Sequence, residues 1–127
     1  MEIIRTLLLK LEQMEMDPGS MRGLSCYRDE LKIEGVTGEA IGHHLEMMID
    51  AGLIHVDKGR MINGHEIYFQ RVSWQGHEFI ASIRDQEVWK QTKEVARKGG
   101  VEAIAAVWDI AKAIGKAELK RRTGLDI

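Results

Sequence analysis

Residues 40–85 carry a helical pattern, a turn-rich two-strand pattern and a second helical pattern, in that order, and this succession constrains the fold more than any other stretch. Thr37 is a good helix cap, although Ala40 three residues on cannot complete a capping box. Ile41, Leu45, Met48 and Ile49 then repeat at helical spacing, with Ala51 closing the stripe and Gly52 placed where a left-handed residue ends a helix. Residues 53–56 begin a strand and residues 67–72 supply a second. Between them Lys58-Gly59 and Asn63-Gly64 are turn dipeptides, so the two strands are expected to pair as a hairpin with a long tip. Ser73 caps the next helix, which runs to about Arg84 with Trp74, Phe79, Ile80 and Ile83 as its apolar residues.

On the N-terminal side, Ile3, Ile4, Leu7, Leu8, Leu11 and Met14 fall three and four apart, which predicts a core helix over residues 2–15. Burying each such side chain contributes roughly 1.5–3 kcal/mol before conformational entropy is subtracted. Asp17-Pro18-Gly19-Ser20 stops that helix, because proline lacks the backbone donor. In residues 21–35, Leu24, Cys26, Leu31 and Ile33 alternate with polar neighbours and suggest short strands. Leu31-Lys32-Ile33 is the stretch expected to add a third, edge strand to the hairpin. On the C-terminal side, Asp85 is placed to cap a helix with Val88, Trp89, Thr92, Val95 and Ala96 inward, and Gly99-Gly100 breaks it. A last helix is expected from Val101. Its apolar residues Ile104, Val107, Trp108, Ile110, Ala111 and Ile114 cover more than one stripe, so it is either buried on two sides or paired with another copy. Gly115 either ends that helix or weakens it, and the tail over residues 116–122 is basic and amphipathic only through Leu119.

A chain of 127 residues that is 44% hydrophobic and 30% charged is one globular domain of ordinary size. Its formal net charge of −2 argues against nucleic-acid binding driven by overall charge, though it leaves room for a local basic patch. Cys26 is the single cysteine and cannot close an internal disulfide, which suits a reducing cytoplasm. The apolar opening is interrupted by Arg5 and Lys10, is too short to span a bilayer, and is not followed by a cleavage site, so neither a targeting signal nor a membrane partner is expected.

Helix, ribbon, helix after an N-terminal helix is the heart of a winged helix. The expected fold is therefore α+β, a winged helix-turn-helix with extra C-terminal helices: a single domain over residues 1–127, with the core in 2–85 and the helical extension in 86–127. The run from His44-Leu45 to Ala51-Gly52-Leu53-Ile54 resembles the end of the recognition helix in many winged-helix regulators. The Ile3-Ile4-Arg5 opening, that same segment, Ser73-Trp74-Gln75-Gly76-His77-Glu78-Phe79, Ile83-Arg84-Asp85 and Val88-Trp89 are together similar to a family of bacterial and prophage-borne winged-helix proteins known as a domain of unknown function. The Trp-x-Gly-His-Glu-Phe motif is the distinctive part, and the Ala-Gly-Leu-Ile ending is common. The resemblance implies the fold and a lean toward phage or mobile-element biology, and it implies no activity.

The residues themselves offer little catalytic chemistry. Gly64-His65-Glu66 and Gly76-His77-Glu78 look alike, but neither has the second histidine four residues on that a zinc-protease helix needs. His43 and His44 are adjacent on a helix and point about 100° apart, so they cannot chelate together. His77 is expected to cap or pack near its helix start beside Trp74, and His44 to hydrogen-bond inside the fold. Cys26 has no histidine near it in sequence, and Gly35, Gly38 and Gly42 lack the lysine of a phosphate loop. No enzyme activity, metal, cofactor or small-molecule substrate is expected. Double-stranded DNA is the remaining sharp partner, through Thr37 and His43 on the recognition helix and Lys58 and Arg60 on the wing, with Arg71 near the base of the wing. Against this, the outward side of that helix carries Thr37, Glu39, His43, Glu46 and Asp50, with no lysine or arginine. The alternative is a protein-interaction module that does not bind DNA, a homodimer through Ile104, Val107, Trp108 and Ile114. Trp74 and Trp89 are expected to pack the added helices onto the wing, and Trp108 is the best candidate to face a partner.

Overall fold

The computed structural model describes residues 2–14, 19–57 and 66–124. The chain runs α1 (Glu2–Glu12), β1 (Arg22–Ser25), a single 3₁₀ turn (Asp29–Leu31), α2 (Gly38–Asp50), β2 (Ile54–Val56), β3 (Glu66–Val72), α3 (Trp74–Ile83), α4 (Gln86–Gly99) and α5 (Ile104–Thr123). This is an α+β architecture of five helices and one small antiparallel sheet of strand order β1-β3-β2. No helix among the described residues is long and apolar enough to cross a membrane. The chain separates into two compact units, residues 2–77 and residues 78–127, and the division falls inside α3.

In the N-terminal unit the expected helices and ribbon are present. Ile4, Leu7, Leu8 and Leu11 of α1 are all buried, and α1 packs on α2 and β3. The helix ends at Glu12, earlier than the apolar spacing through Met14 suggests, and Pro18 lies outside the described residues. Thr37 caps α2: its Oγ1 accepts from the Ala40 amide at 3.2 Å. Ile41, Leu45 and Met48 form the buried stripe, and Gly52 takes φ 74° just past the end of α2. Strands β2 and β3 pair antiparallel with Ile54 opposite Val72 and His55 opposite Arg71, and an irregularity follows at Val56. The hairpin therefore exists as a paired ribbon, while its tip, residues 58–65 with Lys58 and Arg60, lies outside the described residues.

The third strand is not where the alternation placed it. β1 is Arg22–Ser25, with Leu24 opposite Ile67, whereas Leu31 sits in the 3₁₀ turn. Leu31 is fully buried all the same. Its burial is achieved by one tight turn, with its N–H bonded to the Arg28 carbonyl at 3.3 Å, and so needs no strand. Over so few residues, alternation cannot distinguish a strand residue from a single inward-pointing turn residue.

In the C-terminal unit α4 packs along α5. Asp85 caps α4, its carboxylate accepting from the Glu87 and Val88 amides at 2.9 and 3.2 Å. Val88, Trp89, Thr92 and Ala96 are buried, but Val95 is 48% exposed. Val95 falls at the edge of the stripe those four residues define, so it is not an inward residue. Gly100 ends the helix at φ 65°, and Val101 bonds back to the Ala96 carbonyl at 2.8 Å. That tie delays the last helix to Ile104. It then runs unbroken through Gly115 to Thr123. Its buried residues are Ile104, Val107, Ala111 and Glu118, while Leu119 is 48% exposed, so the apolar residue of the tail faces out and a carboxylate faces in. The spacings of three, four and seven put all four buried positions on one narrow stripe.

Candidate nucleic-acid interface and the charged sites

The outward face of α2 is assembled as its helical spacing requires. Thr37, Glu39, His43, Glu46 and Asp50 are all exposed, and Gly38–Asp50 contains no lysine or arginine. Tyr27 closes the start of this helix: its hydroxyl donates to Glu39 Oε1 at 3.2 Å. A Cβ on Gly38 would lie 2.4 Å from the Tyr27 ring, so only glycine lets the ring lie there. The adjacent histidines are held apart in role as well as direction. His43 is exposed, whereas His44 is half-buried with Nδ1 2.7 Å from the Ala40 carbonyl. Of the four residues expected at a DNA surface, Thr37 and His43 share this exposed face, and Lys58 and Arg60 lie outside the described residues. Among the described residues no group of three His, Cys, Asp or Glu side chains is placed to hold a metal ion.

The start of α3 is fixed by two small residues. Ser73 is buried; its Oγ donates to the Gly52 carbonyl and accepts from the Gly76 amide at 2.9 Å. Gly76 is pressed against the turn after α2, where an added Cβ would lie 2.1 Å from the Leu53 carbonyl oxygen. With Gly76 facing that turn, Trp74 two residues earlier is rotated about 200° away. Trp74 is accordingly 76% exposed, not packed as expected, and His77 is exposed as well rather than capping. Trp89 is buried at 3% exposure.

Of the residues expected at a self-association surface, Ile104 and Val107 are buried within the chain at 8% and 1% exposure, and Trp108 and Ile114 are half-buried. Trp108 stacks on Phe79 with ring centroids 6.3 Å apart, and the Lys112 ammonium lies 4.3 Å from the Trp108 ring centre. A cation over an indole face contributes about 0.5–1 kcal/mol at an exposed site. The Trp108 Nε1 is buried without a hydrogen-bond partner among the described residues.

Among the described residues, a charge cluster that the apolar pattern does not point to joins α4 and α5. Glu118, 8% exposed, accepts from Arg121 and, at 3.0 Å, from Arg122 Nε. Arg122 also reaches Asp85, the α4 cap, at 2.7 Å. The hydrogen bond from Arg121, joined by Arg122, holds the Glu118 carboxyl below the usual carboxylate range. The hydrogen bond from Arg122 and the α4 backbone amides do the same for Asp85. The cluster ties the last turn of α5 to the first turn of α4. Period alone would have found it, because Glu118 follows Ala111 by seven residues and Ile104 by fourteen. Reading only apolar residues points instead to Leu119.

A family described as a hypothetical protein (DUF2513) matches residues 1–102. A protein of Haemophilus influenzae, described as uncharacterized, is 28% identical over 117 residues, which cover 89% of this chain and 91% of that one. No solved structure matches.

Proposed function

The chain belongs to the DUF2513 family, and within it we propose that this protein is a winged-helix, DNA-associated regulator or mobile-element accessory protein that acts by binding rather than catalysis. Connectivity carries the reading: α1, β1, a short turn, α2, then β2 and β3 as a hairpin, with sheet order β1-β3-β2. In this reading α2 is the recognition helix, the single 3₁₀ turn at Asp29–Leu31 stands where a helix-turn-helix has its first helix, and the hairpin tip is the wing. The charge on α2 determines how DNA would be held. Glu39, Glu46 and Asp50 would meet a phosphate-lined groove at a cost of about 1 kcal/mol per close like-charge pair in water-like dielectric. DNA contact is therefore assigned to Lys58 and Arg60 on phosphate, with Thr37 and His43 the only non-acidic side chains on the exposed α2 face available near bases.

Two phosphate contacts predict a salt slope of roughly −2 in log affinity against log salt, and low sequence selectivity. Titration of mixed duplexes at low salt, with and without Lys58→Ala and Arg60→Ala together, tests this. Binding that vanishes in the double variant supports the proposal. Absence of binding at the lowest ionic strength, or indifference to the substitutions, defeats it.

The second reading, a protein-interaction module, is favoured by the same acidic face and by the exposed Trp74. For a homodimer through α5, the contact surface is Trp108 and Ile114, since Ile104 and Val107 are already covered. Solution mass measured across concentration, with Ile114→Glu as the disrupting variant, decides it. A monomer at every concentration removes the dimer.

A further inference from the structure

The N-terminal unit contains a cavity of about 450 Å³, within the range of small-molecule sites. Its origin lies in strand register. β1 begins at Arg22 opposite Phe69, so Gln70, Arg71 and Val72 of β3 have β2 on one side and no strand on the other among the described residues. Leu11, Met14, Phe69 and Val72 give the cavity apolar lining, and Arg71 and His77 give it hydrogen-bond donors. Both side chains lack a hydrogen bond or ion pair among the described residues. Glu12, the carboxylate in the lining, already has a partner. His77 also belongs to the Trp74–Phe79 motif, where Gly76 is accounted for by its approach to Leu53 and His77 has no packing duty.

We infer that this cavity binds a small organic anion, a carboxylate or phosphate monoester on an apolar body. Arg71 grips the anionic head, with its planar fork matched to two oxygens. His77 supplies a further donor, and Leu11, Phe69 and Val72 cover the apolar body. The inference does not depend on DNA binding, and its readout is independent of it.

Amide chemical-shift titration of the full chain with benzoate, phenyl phosphate and the neutral benzyl alcohol tests it. Saturable shifts centred on Leu11, residues 69–72 and His77 are expected for one or both anions, and the two arms show which head group is preferred. A hydrogen bond to a charged group is worth about 1.5–3 kcal/mol, so benzyl alcohol, and either anion on Arg71→Gln, should bind about tenfold or more weakly. His77→Ala, a change at an exposed position that removes the donor, should weaken the anions without altering the spectrum elsewhere, and it carries the test should Arg71→Gln fail to fold. No saturable shift with either anion, benzyl alcohol binding as tightly as the anions, or affinity unchanged in both variants would overturn the inference.

Discussion

The identity of Gly76 is set by its surroundings. A methyl group there would lie 2.1 Å from the Leu53 carbonyl oxygen, which already accepts the Ser73 N–H at 2.9 Å. Backbone cannot move aside as a flexible side chain would. Gly76→Ala should therefore cost about 1–3 kcal/mol or more, as overpacking does, read as a lower urea midpoint. Cys26 gives a second residue-scale test. It is 3% exposed, and burial pushes its thiol pKa up, so little thiolate is available to react. Its reaction with Ellman's reagent should follow the unfolding rate and become immediate in denaturant. A fast reaction in the native state would contradict that burial.

At the scale of elements, helix ends and helix interiors make opposite predictions. Ser73 satisfies Gly76 at the start of α3 and donates to Gly52 beyond the end of α2, so one hydroxyl joins two helices. Ser73→Ala leaves both groups short of a partner and should cost about 1–3 kcal/mol. Thr37→Ala removes a single exposed cap bond and should cost only about 1 kcal/mol. Gly115 lies inside α5, where an added Cβ would meet neighbours no closer than 4.0 Å. Gly115→Ala should raise stability by about 0.5–1 kcal/mol, because a helix interior disfavours glycine and the space is free. Equal destabilisation in all three variants would mean that local packing, not capping or propensity, governs these sites.

For the molecule as a whole, acid should act through the C-terminal cluster. Glu118 and Asp85 have folded-state pKa values below their unfolded ones. Their contribution is complete above the ordinary carboxylate range near pH 4 and is lost as pH falls through the lower folded values. Melting temperature should thus fall more steeply with acidification in the wild type than in Glu118→Gln with Asp85→Asn. Parallel curves would show that the cluster adds nothing. The amino-acid sequence by itself determined the helices, the hairpin and the caps at Thr37, Ser73 and Asp85, since period, turn dipeptides and capping groups act within a few residues of the chain. It also determined that α2 turns an acidic face outward. Tertiary structure alone decided that Arg22–Ser25, not Leu31–Ile33, lies beside β3, and that Trp74 stands in solvent. It decided as well that Arg122 at the end of α5 reaches Asp85 at the start of α4, and that the strand register leaves a cavity beside Arg71 and His77. Each of these depends on which distant segment comes to lie alongside, and local pattern does not contain that choice.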